Sequence, residues 1–172
     1  FIHAEKVNET DLLNKNDITV FIRLGSDFVE NYYEYEIPVD ITPWYCGKDE
    51  LVIWPENNQM EIILDSLVNV KQARNIEVRQ GTHVSAKIPY TVEVGGNKIT
   101  VVGTPNLADV STIMIGVRNP KKKSLGDNDD MLSKSAEIWV NELRLCDFND
   151  KQGFAALARM RLNLADIGDI TL

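Results

Sequence analysis

Between Ile18 and Leu24, the apolar residues Ile18, Val20, Ile22 and Leu24 recur at every second position. That period places all four on one face of a β-strand. From Tyr32 to Ile37, Tyr33, Tyr35 and Ile37 point one way while Tyr32, Glu34 and Glu36 point the other. This is the alternation of an antiparallel strand with one packed face and one wet face, so Glu34 and Glu36 are assigned to the solvated side. Tyr90–Val94 and Ile99–Val102 flank Gly95-Gly96-Asn97. Glycine accepts the positive φ of a tight turn and β-branched residues suit the strands, so a hairpin is predicted. Thr112–Val117 reads as a short buried strand and Phe1–Ala4 as a strand opening a fragment of something larger. Ala136–Leu145 is predicted as a strand with Trp139, Leu143 and Leu145 on one face. Asn141 is the polar residue among them, and if buried it must be hydrogen-bonded.

One helix interrupts the β pattern. Met60, Ile63, Leu64 and Leu67 follow the i, i+3, i+4, i+7 spacing of an apolar stripe. Asn58 and Glu61 resemble a capping box, and the helix is predicted to reach Arg74. Pro38, Pro43 and Pro55 mark residues 38–57 as irregular. A polar loop containing Lys121-Lys122-Lys123 and Asp127-Asn128-Asp129-Asp130 separates the last two strands. The fold class predicted is mainly β: an antiparallel, jelly-roll-like β-sandwich with one packed α-helix. Residues 1–152 are assigned to the sandwich and 153–172 to a closing segment. In that segment Phe154, Ala156, Ala158, Met160, Leu162 and Leu164 alternate with Arg159, Arg161 and Asn163. The pattern fits either one more strand of the sandwich or the apolar-out alternation of an outer-membrane barrel strand.

Composition narrows the function classes. The 172 residues suit one domain, with 44% hydrophobic and 26% charged residues. A net charge of −8 argues against a nucleic-acid partner. No apolar run approaches the length of a membrane-spanning helix, and no signal peptide opens the sequence. Cys46 and Cys146 allow one bridge or two free thiols. His3 and His83 lack ligand spacing, and Met131 and Leu132 break any EF-hand pattern after Asp127. There is no nucleophile elbow and no phosphate-binding glycine loop. A reactive thiolate at Cys46, in a loop beside Gly47, Lys48 and Asp49, has the least support in the sequence. The expectation is therefore a non-enzyme with no catalytic residue, metal or cofactor. Trp44, Tyr45 and Trp54 remain as contact candidates, either a stacking platform for glycan or partner chain, or a plug at the open end of the sandwich.

Longer strings then carry a resemblance. They are Ile18–Phe28 with Glu30–Glu36, Trp54–Ile62, Ile113–Pro120, Ser135–Leu145 and Leu162–Gly168. In this order they resemble a segment of the SprA (Sov) family of very large outer-membrane proteins of Bacteroidetes. The resemblance implies a piece of the single-chain β-barrel translocon of the type IX secretion system, tied to gliding motility and surface protein export. It implies an insertion domain at the outer membrane or cell surface, reaching the membrane through its parent, with residues from about Gly153 leading into a barrel strand. The implied partners are the rest of the parent barrel and other translocon proteins. A looser likeness links Glu137–Leu145 to the last strand of carbohydrate-binding jelly rolls, where an Asp often stands in place of Asn141. A carbohydrate-binding module is the alternative reading.

Overall fold

The computed structural model describes residues 1–83, 85–120 and 132–146, together with the backbone of the strands at 161–164 and 168–171. The chain divides into two compact units, Phe1–Glu142 and Leu143–Leu172.

The first unit is mainly β, two antiparallel sheets and one main helix. Its strands are β1 (Ile2–Lys6), β2 (Thr19–Gly25), β3 (Tyr32–Pro38), β4 (Tyr90–Val94), β5 (Asn97–Val102), β6 (Thr112–Arg118) and β7 (Ala136–Val140). Five of them form one sheet in the order β4-β5-β3-β2-β6, and β1 pairs with β7 in a second. The period-two reading holds in this register: Val20 faces Ile37, Ile22 faces Tyr35 and Leu24 faces Tyr33. These side chains share one face of the larger sheet.

That face is covered twice. At one end Ile2 and Ala4 of β1 pack with Ile18, Val20, Ile37 and Val39, and Ala136 and Ile138 of β7 close over them. At the other end Leu67 and Val70 meet Tyr33, Ile99 and Val101. Each fully buried aliphatic side chain contributes about 1.5–3 kcal/mol. The hairpin forms where the glycines predict it, with Gly95 and Gly96 at φ +60° and +86°. Both turn residues need positive φ, the mark of a two-residue turn matched to strand twist.

The helix differs from its predicted boundaries. A single helical turn, α1 (Glu50–Ile53), precedes the main helix α2 (Leu64–Gln80), which starts four residues later than Met60 and runs past Arg74. Its buried stripe is Leu67, Val70 and Arg74, while Ile63 and Leu64 are exposed. Asn58 caps nothing. Its side chain is fully buried, accepting from the Asp40 N–H at 2.7 Å and donating to the Asp40 C=O at 2.9 Å. Gly81 ends the helix at φ +74°, its N–H bonded to Val78.

Two strand assignments also need correction. β6 is an edge strand, with Ile113, Ile115 and Val117 each about half exposed. An apolar run of this length fits an edge as well as a centre, and only the register decides. β7 stops at Val140, after which Glu142 takes a positive φ. Trp139, Asn141, Leu143 and Leu145 are exposed, so Asn141 has no burial to satisfy. The Lys121–Lys123 and Asp127–Asp130 runs, and Phe154–Met160 of the alternating tail, lie outside the described residues. In the second unit β8 (Arg161–Leu164) pairs antiparallel with β9 (Gly168–Thr171), Arg161 opposite Thr171.

Candidate functional site

The second face of the five-stranded sheet, over which no described element packs, carries a cluster of charged side chains. The period that turns Val20 and Ile22 inward turns Thr19, Phe21 and Arg23 outward, beside Glu34 and Glu36 of β3 and Lys98 of β5. Thr19, Arg23, Glu34, Glu36 and Lys98 help line an open groove of about 740 Å³.

Alternation predicts a wet face for Glu34 and Glu36, yet they are only 4% and 6% exposed. Their cover comes from two arginines. Arg23 Nε donates to Glu34 at 2.6 Å, and Arg118 Nη2 reaches both Glu34 oxygens at 3.0 Å. Arg118 Nη1 bonds Glu36, whose other oxygen accepts from Thr19 Oγ1 at 2.7 Å. Charges removed from water need such partners, because an uncompensated one costs several kcal/mol. Aromatic rings complete the lattice. The Arg23 guanidinium lies 4.2 Å from the Tyr32 ring centroid and Arg118 lies 4.5 Å from that of Phe21. The rings are covered by cations instead of being offered for stacking.

This arrangement spends its hydrogen-bonding capacity internally. Both oxygens of Glu34 and of Glu36 accept hydrogen bonds from within the lattice. Sequence reasoning missed the lattice because Arg118 lies 84 residues from Glu34. The only local signal is Arg23, directly across from Glu34 in the ladder.

The aromatic candidates lie elsewhere. Trp44 and Tyr45 meet edge to face, centroids 5.8 Å apart, with Tyr45 86% exposed at φ +63°. Trp54 is turned onto His3, centroids 5.8 Å apart. His3 is buried, its Nδ1 within 2.8 Å of the Ile53 carbonyl and 3.1 Å of the Thr42 hydroxyl. The structure therefore pairs Trp44 with Tyr45 and gives Trp54 a packing partner of its own. Cys46 and Cys146 are free thiols. Among the described residues no group of three His, Cys, Asp or Glu side chains could hold a metal ion, and no helix is long and apolar enough to cross a membrane.

One buried cation stands apart. Arg74 is fully buried on α2, where Nη1 donates to the carbonyls of Ala86 (3.1 Å) and Gly103 (2.7 Å), and Nη2 to the Asn75 side chain (2.8 Å). Burial pushes its pKa down. The contacts pin the loop after the helix to the end of β5, a structural task.

Among curated proteins none matches the chain. A family model described as "Motility related/secretion protein", SprA_N, matches residues 1–172. A match over that whole span identifies the family, and the chain belongs to the SprA_N family of motility-related secretion proteins.

Proposed function

We propose that this chain is a non-enzymatic structural and interaction domain of a large outer-membrane protein that serves type IX protein secretion and gliding motility. The family match across residues 1–172 carries the reading. The arginine–glutamate lattice supports the structural part, because charged groups that satisfy one another give a rigid surface. On this reading the partners are the rest of the parent barrel and other translocon proteins, and the domain reaches the membrane through its parent. It takes no cofactor and binds no nucleic acid. Affinity purification of the full-length parent, with and without residues 1–172, tests the docking role. Loss of one or more translocon proteins from the shortened form is expected. An unchanged set of co-purifying proteins would overturn it.

A second reading, glycan binding, rests on the exposed Trp44–Tyr45 pair, since an aromatic held outward at positive φ offers a face to stack on. Retardation on a polysaccharide affinity gel, abolished by Trp44→Ala, would favour it over the first. Equal migration of wild type and variant would remove it.

A further inference from the structure

The lattice on the second face of the five-stranded sheet satisfies its carboxylates and leaves donors over. Tyr32 is only 8% exposed and lines the groove there, yet among the described residues nothing hydrogen-bonds its hydroxyl. Its ring lies against the Arg23 guanidinium, so the hydroxyl is what the side chain has left to offer. Arg23 spends Nε on Glu34 and Nη1 on the Phe28 carbonyl, and keeps Nη2. Lys98 stands between Glu36 and Glu93 in the ladder, and among the described residues it has neither ion pair nor hydrogen bond. The Thr91 and Thr100 hydroxyls bond each other at 2.8 Å, which leaves one hydrogen of the pair unspent.

These spare groups lie on four adjacent strands, β4, β5, β3 and β2. At about 4.8 Å per strand they span about 14 Å, so a ligand that meets them all is a chain and not a compact ion. The charged residues lining the groove, Arg23, Arg118 and Lys98 against Glu34, Glu36 and Glu93, cancel. That balance favours an uncharged ligand. The Glu34 and Glu36 oxygens are taken, and the carboxylate still open is Glu93 at the exposed edge. A peptide laid across the strands would bring backbone N–H groups for which the groove floor has no carboxylate to spare. A sugar hydroxyl accepts from the groove while its own hydrogen turns to water.

We propose that this groove binds an uncharged oligosaccharide, held across the strands by hydrogen bonds from Tyr32, Arg23 and Lys98. The Tyr32 and Phe21 rings are already covered by guanidinium groups, so neither is left for stacking a sugar and the contact is polar and weak. Trp44 and Tyr45 do not line the groove. The inference therefore rests neither on that pair nor on the secretion reading.

A glycan array of neutral and acidic oligosaccharides, probed with the 172-residue chain, tests the ligand class. Calorimetry with the sugar bound best then measures the variants. Wild type is expected to bind neutral sugars in preference to acidic ones. Tyr32→Phe, which removes only the unpartnered hydroxyl, should weaken binding about threefold or more with an unchanged urea midpoint. Lys98→Met, which removes a charged donor, should weaken it about tenfold. An array without a bound sugar overturns the inference, and so does binding confined to acidic sugars. Wild-type affinity in both groove variants overturns it too. If Trp44→Ala abolishes binding in that case, the sugar belongs to the loop pair and not to the groove. Should one groove variant fail to fold, the other decides.

Discussion

The ring of Phe21 lies over Gly116 in the neighbouring strand, so closely that a Cβ on Gly116 would fall among its ring atoms. The glycine is there for space: β6 must pass beneath an aromatic ring that Arg118 covers from above. Gly116→Ala is expected to destabilise the domain by about 1–3 kcal/mol, the usual cost of overpacking. Phe21→Leu in the same chain should return part of that loss, a coupling that a double-mutant cycle in urea would measure. Purely additive effects would contradict the contact.

The lattice around Glu34 makes a second prediction. Glu34→Ala leaves Arg23 and Arg118 facing each other without their shared carboxylate. Both arginines keep some solvent access, so the expected loss is about 1–3 kcal/mol, below that of a wholly buried pair. Glu93→Ala, on the exposed edge strand, should stay within about 0.5 kcal/mol of wild type. Equal urea midpoints for the two variants would show that the lattice contributes nothing to the fold.

Asn58 separates two accounts of one residue. As a helix cap its removal would shorten α2. As the buried partner of Asp40, its removal orphans two backbone groups instead. Asn58→Ala is therefore expected to cost about 2–3 kcal/mol while helical ellipticity below the transition stays unchanged. A fall in helix content with little loss of stability would favour the cap.

Acid should loosen the fold through three aspartates. The Glu30 N–H, with the Asn31 side chain and the Val29 N–H, holds the Asp27 carboxyl far below the usual range. Burial pushes Asp17 and Asp40 up, but hydrogen bonds and lysines outweigh it and both end low. For Asp17 these partners are Asn14 and Lys134, and for Asp40 they are Asn57 and Lys15. A carboxyl with a depressed folded pKa contributes stability that is complete above its unfolded value of about 3.9 and is lost as pH falls through the folded value. The urea midpoint should hold from neutrality to about pH 5 and drop below about pH 4. Asp27→Asn should flatten that drop. A midpoint that rises on acidification would contradict the assignment.

What the sequence made legible follows from range. Alternation in Ile18–Leu24 and Tyr32–Ile37, and the Gly95-Gly96 turn, are local signals, and β2, β3 and the β4–β5 hairpin formed as they require. The helix starts later than its pattern predicts because Met60 and Ile63 mimic helical spacing while the chain around them is not helical. Nothing local separated the edge strand β6 from a central one, since neighbours across a sheet come from distant sequence. The lattice was hidden for the same reason: alternation correctly put Glu34 and Glu36 on the polar face, but their burial depends on Arg118. Trp44, Tyr45 and Trp54 are near one another in sequence, but only Trp44 and Tyr45 meet, and Trp54 packs against His3, a residue 51 positions away.

The central claim is that this domain serves secretion and motility through shape and contact. Its most direct test is a strain whose only parent gene lacks residues 1–172, with the level of the shortened protein in the cells confirmed by immunoblot. Secretion of surface proteins and spreading of colonies should both fall sharply although the shortened protein is present in normal amount. Wild-type secretion and spreading in that strain would contradict the account.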